Sequence, residues 1–429
     1  MSRRDDSRIA AVLEQALSQP EIDELGRTSG QSQRLRIITP FRLLVTLLRG
    51  LGDGATESIA DLCREFNYAF GTRVAYKAFY NRLARPGFAE FAREVVSRLL
   101  THFAVKTLEP RPDSAVARFT DIIVQDGSSF AVKASLRGVF PGRFRTIEPA
   151  AVELHATLST YYDEVSEVSL SPDTTQERAF LPSAEDLRDQ LLLADRGYPS
   201  REYFAQMEAA GASFIMRISR GFKPLVRAVH AGKRVTHLKD PVALPTYLGR
   251  SKVTALDLDV ELRKGKDVLP CRLIILPGKE KSGTRLCTNL PREDFPMELV
   301  ARLYRLRWQV ELVFKEWKSY ANLRKFDTGN QHIAEGLIWA ALATAILKRF
   351  LAHATQRSRE TAISTRKVAM AARLFLRRLL DALGRPRTLR VVLADIVTFL
   401  EHQARRADLK RDKKRGRQNS GLEPCGAPK

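Results

Sequence analysis

Short apolar runs, with one helical segment among them, dominate the middle of this 429-residue chain. The runs cover residues 119–125, 152–158, 191–194 and 214–218, and residues 200–210 have helical spacing. Apolar runs of this length, bounded by turn residues, are typical of strands in a buried sheet. Because strands here alternate with a helix, we predict an α/β layer domain.

Helical and β-rich regions surround this segment. Residues 219–289 include a stretch that alternates apolar and acidic side chains, which predicts strands with one solvated face. A long helix is predicted over residues 296–320. We therefore divide the chain into a helical part, an α/β part with a β insertion, and a C-terminal helical part with a basic tail, over residues 1–115, 116–350, 219–289 and 351–429.

The charge balance limits the class of partner. The chain has 71 Lys and Arg against 49 Asp and Glu, a net charge of +22. Such an excess indicates a polyanion, most often nucleic acid. A merely soluble basic protein is the alternative, whereas a hydrophobic content of 44% is too high for a disordered basic chain.

The sequence also indicates a compartment. Its four cysteines have no Cys-x-x-Cys spacing, and the N-terminus lacks the apolar core of a signal peptide. The longest apolar run, residues 336–347, is too short to span a bilayer. We expect a cytoplasmic, nucleoid-associated protein without a membrane partner.

A helix-turn-helix is predicted near the N-terminus. Ser58 and Asp61 have the spacing of a capping box at the start of helix 59–66, and Thr72 can cap a second helix over residues 73–84. The second helix carries residue types that reach phosphates and base edges, and we select Lys77, Asn81 and Arg85 as DNA-binding candidates. An ordinary helical bundle with a solvated basic face is the alternative.

Four polar residues share one stripe of the predicted helix 296–320. At about 100° per residue, an arc of roughly 60° contains Tyr304, Arg307, Glu311 and Lys318. This stripe offers a carboxylate for a metal and three groups for phosphates. A solvated face with intrahelical ion pairs is the alternative.

Two further carboxylates stand where strands are predicted to end. Asp126 follows the first apolar run and Asp195 follows the third, although each residue type is also common in turns. Carboxylates that hold Mg²⁺ can activate a nucleophile and stabilise the leaving oxygen of a phosphodiester. Three such carboxylates in a basic protein predict a nuclease-like metal site, and no His or Cys cluster competes.

The spacing Tyr304, Arg307, Glu311, Lys318 resembles the signature of DDE transposases of the insertion-sequence-four family, which are bacterial cut-and-paste enzymes. Residues 286–291, 125–128 and 193–198 are similar to other motifs of that family. The resemblance implies an α/β, RNase-H-like catalytic domain with a β-strand insertion, flanked by N-terminal and C-terminal helical regions. It also implies that Asp126, Asp195 and Glu311 bind the catalytic metal, while Tyr304, Arg307 and Lys318 contact transposon-end phosphates.

The same resemblance implies the cofactor, the partners and the reaction. We expect Mg²⁺, with Mn²⁺ able to substitute, and double-stranded DNA of the transposon ends and the target, bound by a homodimer. The implied reaction nicks the transposon end, passes through a hairpin and ends in strand transfer to the target. A transposase-derived DNA-binding protein without cleavage activity is the alternative, and a stand-alone nuclease is a third hypothesis.

One departure from the family concerns that hairpin. Relatives can use a tryptophan of the β insertion to receive a flipped base, but Trp308, Trp317 and Trp339 all lie outside residues 219–289. Phe222 and Tyr247 are the aromatic candidates within the insertion. The alternative is that both belong to a small core of the insertion.

Overall fold

A computed structural model describes residues 3–52, 54, 56–232, 234–249, 254–278, 283–320, 327–406 and 420–425. Six helices come first in the chain: α1 (Arg3–Ala16), α2 (Gln19–Thr28), α3 (Pro40–Gly52), α4 (Ile59–Phe70), α5 (Tyr76–Leu83) and α6 (Pro86–His102). Five helices occupy the C-terminal part: α9 (Met297–Arg305), α10 (Trp308–Tyr320), α11 (Gln331–Arg359), α12 (Thr365–Asp381) and α13 (Pro386–Gln403).

Strands fill the middle of the chain. The first group is β1 (Leu108–Pro110), β2 (Asp121–Ala131), β3 (Pro141–Phe144), β4 (Glu148–Ser159), β5 (Glu164–Pro172), β6 (Gln190–Ala194) and, after helix α7 (Arg201–Ala210), β7 (Ser213–Arg217). The second group is β8 (Leu225–Ala231), β9 (Arg234–Ala243), then helix α8 (Leu244–Leu248), β10 (Leu256–Lys264), β11 (Asp267–Leu276) and β12 (Thr284–Thr288).

These strands, apart from β1, build one mixed sheet of eleven strands. Its first half has the order β5-β4-β2-β6-β7, in which β2, β6 and β7 run parallel and β4 runs antiparallel to both its long neighbours. This order, with helices on its flanks, confirms the predicted α/β, RNase-H-like class.

The predicted β insertion continues that sheet. Strand β12 pairs antiparallel with β7, and β11, β10, β8 and β9 follow in that order. The edge of β7 is therefore paired with β12 over residues 215–217. The insertion is an extension of the same sheet, and its bounds, residues 219–289, stay a prediction.

Alternate side chains of the central strands enter two cores. Leu191 and Leu193 on β6 face a core shared with the N-terminal and C-terminal helices, while Leu192 and Ala194 face a smaller core around α7 and the insertion. This period of two on a strand buried on both faces explains its unbroken apolar sequence. Helix α11 is apolar and long enough to cross a membrane, but its apolar window is buried inside the protein, as in a core helix.

Strand β2 runs through Asp126 instead of ending there, so the predicted strand end is wrong. Asp126 and Gly127 pair with Ala156 and His155 of β4, and pairing continues to Ala131. Asp-Gly is a common turn sequence, but the long partner strand β4 supplies backbone hydrogen bonds that keep it extended. The hairpin-turn alternative is excluded for the same reason.

The predicted helix over residues 296–320 is also wrong, since it divides into α9 and α10. The N–H of Leu306 donates to Leu303, and that of Arg307 donates to Tyr304. Hydrogen bonds to the residue three positions earlier tighten the chain into a turn of 3₁₀ type. The turn interrupts the helix between Tyr304 and Glu311, but both side chains still lie on the side that faces the sheet.

Outside the insertion, four described strands escaped prediction: the short strands β1 and β3, then β5 and a C-terminal strand, β13 (Leu422–Pro424). Strand β5 is rich in Ser and Glu, which hides its alternation, and β13 pairs antiparallel with β1 near the chain end. Most of the predicted basic tail, residues 407–417, lies outside the described residues. Strand β13 follows this tail in the sequence and pairs with β1, which precedes the eleven-stranded sheet.

Close packing of α11 against α6 yields a test of the fold. A Cβ added at Gly336 would lie 2.4 Å from the fully buried ring of Phe88. We expect Gly336→Val to lower the free energy of unfolding by about 1–3 kcal/mol, because overpacking forces backbone shifts. The control Gly138→Val has open space around it. Urea denaturation measures both, and an unchanged stability of the Gly336 variant would contradict the helix contact.

Candidate active site

Asp126 lies in the middle of β2, the central strand of the first half of the sheet, β5-β4-β2-β6-β7. Ile122, Ile123 and Val124 precede it and are buried, which explains the strand. The Gly127 N–H donates to Asp126 Oδ1 over 3.0 Å. A Cβ at Gly127 would lie 2.6 Å from Glu153 Oε1, so only glycine fits beside this carboxylate without displacing Glu153.

Asp195 follows the last residue of β6. Ala194 is in register with Gln125 of β2, so the parallel pairing of β6 and β2 brings the two aspartates to neighbouring strand positions. Asp195 Oδ1 accepts a hydrogen bond from the Tyr304 hydroxyl at 3.2 Å and lies 3.7 Å from Arg217 Nη1. Sequence reasoning missed Arg217, which is the last residue of β7.

Glu311 lies in the first turn of α10. Arg307 precedes it by one turn and joins it to the sheet: Arg307 Nη2 donates to Glu311 Oε1 at 2.8 Å, and Nη1 donates to Asp126 Oδ2 at 2.6 Å. One guanidinium thus bridges carboxylates that are far apart in the sequence. Glu311 is the most exposed of the three, with 42% of its side chain accessible.

The four residues of the predicted stripe all face the sheet, despite the break between α9 and α10. Tyr304 and Arg307 contact the carboxylates described above, and Lys318 Nζ donates to the backbone oxygen of Ser129 on β2 at 2.7 Å. Tyr304 is 9% exposed and Arg307 is 7% exposed. The stripe is therefore turned toward the sheet and is not a wholly solvated face, although Arg307 and Glu311 also form an ion pair four residues apart.

The site concentrates negative charge in a partly buried place. The pKa of Asp126 rises to about 6, mainly because of burial and further because of Asp195 and Glu311, while Arg307 opposes the rise. Burial lowers the pKa of Arg307, but Asp126, Tyr304, Asp195 and Glu311 together outweigh burial and raise that pKa above its usual range. A single buried guanidinium balances only part of the negative charge of the three carboxylates.

The donor set fits a hard divalent cation, since it offers carboxylate oxygens and no nitrogen or sulfur. Within the described residues no three His, Cys, Asp or Glu side chains already surround one point, and Arg307 lies between Asp126 and Glu311. A complete protein cage is not needed, because Mg²⁺ usually takes one or two carboxylates together with waters and phosphate oxygens. Asp126, Asp195 and Glu311 are the residues that could hold it.

A second candidate surface lies among the N-terminal helices. Helix α4 begins with the predicted capping box, in which Ser58 accepts from the Asp61 N–H. Helix α5 begins only at Tyr76, and Thr72 donates to Asn67 instead of capping it, so that predicted helix start is wrong. The predicted residues Lys77, Asn81 and Arg85 are exposed on and just after α5.

Asn81 and Arg85 line a basic cleft of about 780 Å³, together with Arg36, Arg42 and Arg82. None of these four arginines has a carboxylate partner among the described residues. Burial lowers the pKa of Arg82, and the charges of Arg85 and Arg36 lower it further. Sequence reasoning missed Arg36 and Arg42, which precede α4 and reach the cleft only through tertiary packing.

The aromatic candidates of the insertion are half-buried. Phe222 packs against Phe204 of α7, with ring centroids 6.1 Å apart, and Tyr247 packs against the same small core. This packing favours the alternative stated for them, a core of the insertion. That either ring receives a flipped DNA base stays a prediction.

Comparison with known proteins agrees with this geometry. Residues 121–347 match the family model of the transposase DDE domain, and they contain Asp126, Asp195 and Glu311. The chain is similar to the transposase for insertion sequence element IS231B of Bacillus thuringiensis subsp. berliner, with 22% identity over 75% of this chain and 74% of the relative. It is also similar to the transposase for IS1151 of Clostridium perfringens, with 22% identity over 70% of this chain and 71% of the relative.

A solved structure, the cryo-EM structure of a piggyBac transposase synaptic complex with hairpin DNA, aligns with a TM-score of 0.48 and 11% identity over 93% of this chain and 86% of that one. The family assignment does not depend on it.

The family match covers more than half of the chain, and the named relatives are transposases of insertion sequences. This does not favour the alternative of a DNA-binding protein without cleavage activity. The family implies a divalent metal cofactor and DNA as a partner. The chain therefore belongs to the transposase DDE domain family and is a DNA transposase.

Proposed function

We propose that this transposase cleaves and joins DNA at the ends of an insertion sequence, with Asp126, Asp195 and Glu311 as its metal-binding catalytic residues. The observation that carries the proposal is the Arg307 fork, which holds Asp126 and Glu311 through one guanidinium. The Tyr304 hydroxyl on α9 donates to Asp195, so this third carboxylate contacts the helix that precedes Arg307 and α10. Carboxylates from β2, the end of β6 and α10 therefore meet at one place.

The residues around the carboxylates orient them. The Tyr304 hydroxyl donates to Asp195 and fixes the position of that carboxylate. Lys318 holds the far end of α10 against β2 through Ser129. Arg307, Tyr304 and Lys318 also supply donors for transposon-end phosphates, because guanidinium and ammonium groups bind phosphate oxygens well. The same side chains thus orient the carboxylates in the protein without DNA and bind phosphates in the DNA complex.

The proposed cofactor is Mg²⁺, for which Mn²⁺ can substitute, held by Asp126, Asp195 and Glu311. When bound, the metal would activate the attacking hydroxyl and stabilise the departing 3′-oxygen of the phosphodiester. The three carboxylates supply the hard oxygen ligands that both ions accept. Asp126 is the most buried of the three, with 16% of its side chain exposed.

The N-terminal cleft is proposed to bind the transposon ends. Its arginines suit the phosphate backbone, and the exposed Asn81 has the amide that can read adenine in a major groove. Lys77 extends the basic surface along α5. We further propose that two copies act together as a homodimer on the two ends, in the cytoplasm at the nucleoid, and then on target DNA.

Loss of any one carboxylate should stop cleavage. We expect Asp126→Asn, Asp195→Asn and Glu311→Gln each to lower the Mg²⁺-dependent cleavage rate by more than about 100-fold, since even outer-shell partners of metal ligands are worth 10–100-fold. The substrate is a duplex carrying the inverted repeat that flanks the gene. Affinity for it should stay within about threefold in a gel-shift assay without metal.

The control for this series is Asp267→Asn, which changes an exposed carboxylate at the start of β11. Any one of the three variants that cleaves as fast as this control would lose its assignment as a metal ligand. In the same assay the wild type should also cleave when Mn²⁺ replaces Mg²⁺. A wild type that cleaves with neither ion would contradict the proposed cofactor.

Removing the charge of Lys318 should alter the salt dependence of DNA binding. We expect Lys318→Ala to make the slope of log K against log salt shallower by about one, because one phosphate contact fewer releases fewer counterions. Lys318→Arg keeps the charge and should keep the slope. If Lys318→Ala loses cleavage but keeps the salt slope of DNA binding, Lys318 does not contact a phosphate and acts only through its hydrogen bond to Ser129.

Asn81 and Arg36 should affect DNA binding in different ways. We expect Asn81→Ala to reduce the preference for the element's own end over random DNA by about 1–3 kcal/mol, as for a lost base contact. Arg36→Ala should weaken binding to both DNAs equally, as for a lost phosphate contact. Competition binding measures both ratios, and equal losses on both DNAs for Asn81→Ala would show that α5 contacts only the backbone.

A further inference from the structure

The hairpin between β3 and β4 carries exposed apolar side chains at its tip. Phe144 is 62% exposed and Ile147 is 83% exposed, the highest value among the large apolar residues described. The Ile147 N–H donates to the Phe144 oxygen, which closes the turn. Residues 143–148 are all exposed, so this apolar pair has no cover within the described chain.

The base of this hairpin is well held. Leu136 and Phe140 are buried beneath it. The Arg143 N–H donates to Asp173 Oδ2 at 3.0 Å, and Arg143 Nη2 donates to the Asp173 backbone oxygen at 3.0 Å. The tip is therefore presented on a fixed support, because its base is tied to the end of β5.

Two exposed arginines lie at the apolar tip and in the segment before it. Arg145 lies between Phe144 and Ile147, and Arg137 lies in the segment that leads to β3; both are exposed. Neither has a carboxylate partner among the described residues, and Glu148 is the one acidic residue between residues 133 and 148. Apolar side chains beside unpaired arginines suit DNA, since apolar wedges enter base steps while arginines bind the backbone.

The position of the tip fits a duplex that crosses the active site. Asp126 pairs with Ala156 of β4, and Glu148 lies eight residues before Ala156 on the same strand. At about 3.3 Å per residue, the tip stands roughly 26 Å from Asp126 along β4. That length corresponds to about eight base pairs at 3.4 Å each.

We propose that the hairpin tip, residues 144–147, binds the transposon-end duplex about eight base pairs from the bond that is cleaved. Phe144 and Ile147 enter a groove, and Arg137 and Arg145 contact the flanking phosphates. The inference rests on the proposed function, because Asp126 marks the place of cleavage. The hairpin tip is thereby a second DNA-binding surface, separate from the N-terminal cleft.

The test compares the double variant Phe144→Ala/Ile147→Ala with the wild type on two sets of duplexes. One carries at least fifteen base pairs on both sides of the scissile bond, and the others are cut to four base pairs on one side or the other. We expect the variant to bind and cleave the long duplex about tenfold less well. On the duplex that lacks the contacted side, variant and wild type should be equal.

The matched control is Leu374→Ala/Val391→Ala, which removes exposed apolar side chains from α12 and α13. It should behave as the wild type on every duplex. Equal binding of the long duplex by the hairpin variant and the wild type would overturn the proposal. So would a change in oligomeric state on sedimentation without a change in DNA affinity, because the tip would then contact a second copy of the chain.

The binding arm keeps the two proposals distinct. A wild type that binds the long duplex but does not cleave it would contradict the assigned catalytic residues. The ratio of long-duplex to short-duplex affinity would still decide whether the hairpin contacts DNA, because that ratio needs no metal and no cleavage.

Discussion

The fork of Arg307 is the interaction on which the site depends. Its two nitrogens donate to Asp126 on the central strand and to Glu311 on α10. With 7% of its surface exposed, the guanidinium is largely removed from water, and so its attraction to both carboxylates is stronger than at a surface. Without it, burial and mutual repulsion would drive these carboxylates apart or protonate them. The guanidinium thus offsets part of the negative charge of these carboxylates before DNA and metal arrive.

That fork requires two features of the backbone. The 3₁₀ turn between α9 and α10 sets Arg307 at the start of a new helix, facing the sheet. Strand β2 must also pass through Asp126 in an extended form, which its pairing with β4 ensures. Parallel pairing with β6 then places Asp195 beside it. The two aspartates are 69 positions apart in the sequence and meet because the sheet fixes their register. Glu311, 116 positions after Asp195, lies on α10 and is joined to Asp126 through Arg307.

The net charge of +22 is distributed over separate surfaces. One is the arginine cleft by α5, and another is the hairpin tip around Arg145. Both are separate from the site formed by Asp126, Asp195 and Glu311, where carboxylates dominate. Such a division suits an enzyme that binds DNA along its backbone with cations and cleaves it at a site of opposite charge, where a metal ion balances the charge.

The sequence by itself determined the class of fold, the three carboxylates and the signature residues, because apolar periodicity and fixed spacing are local properties. It placed Asp195 and the start of α4 correctly. It could not place the end of β2, the break before Arg307 or the contribution of Arg36 and Arg42. Each of these depends on a distant partner: β4 overrides the turn preference of Asp126-Gly127, Asp126 engages Arg307, and packing brings Arg36 to α5. Contacts between remote segments decided them, and only the tertiary structure contains those contacts.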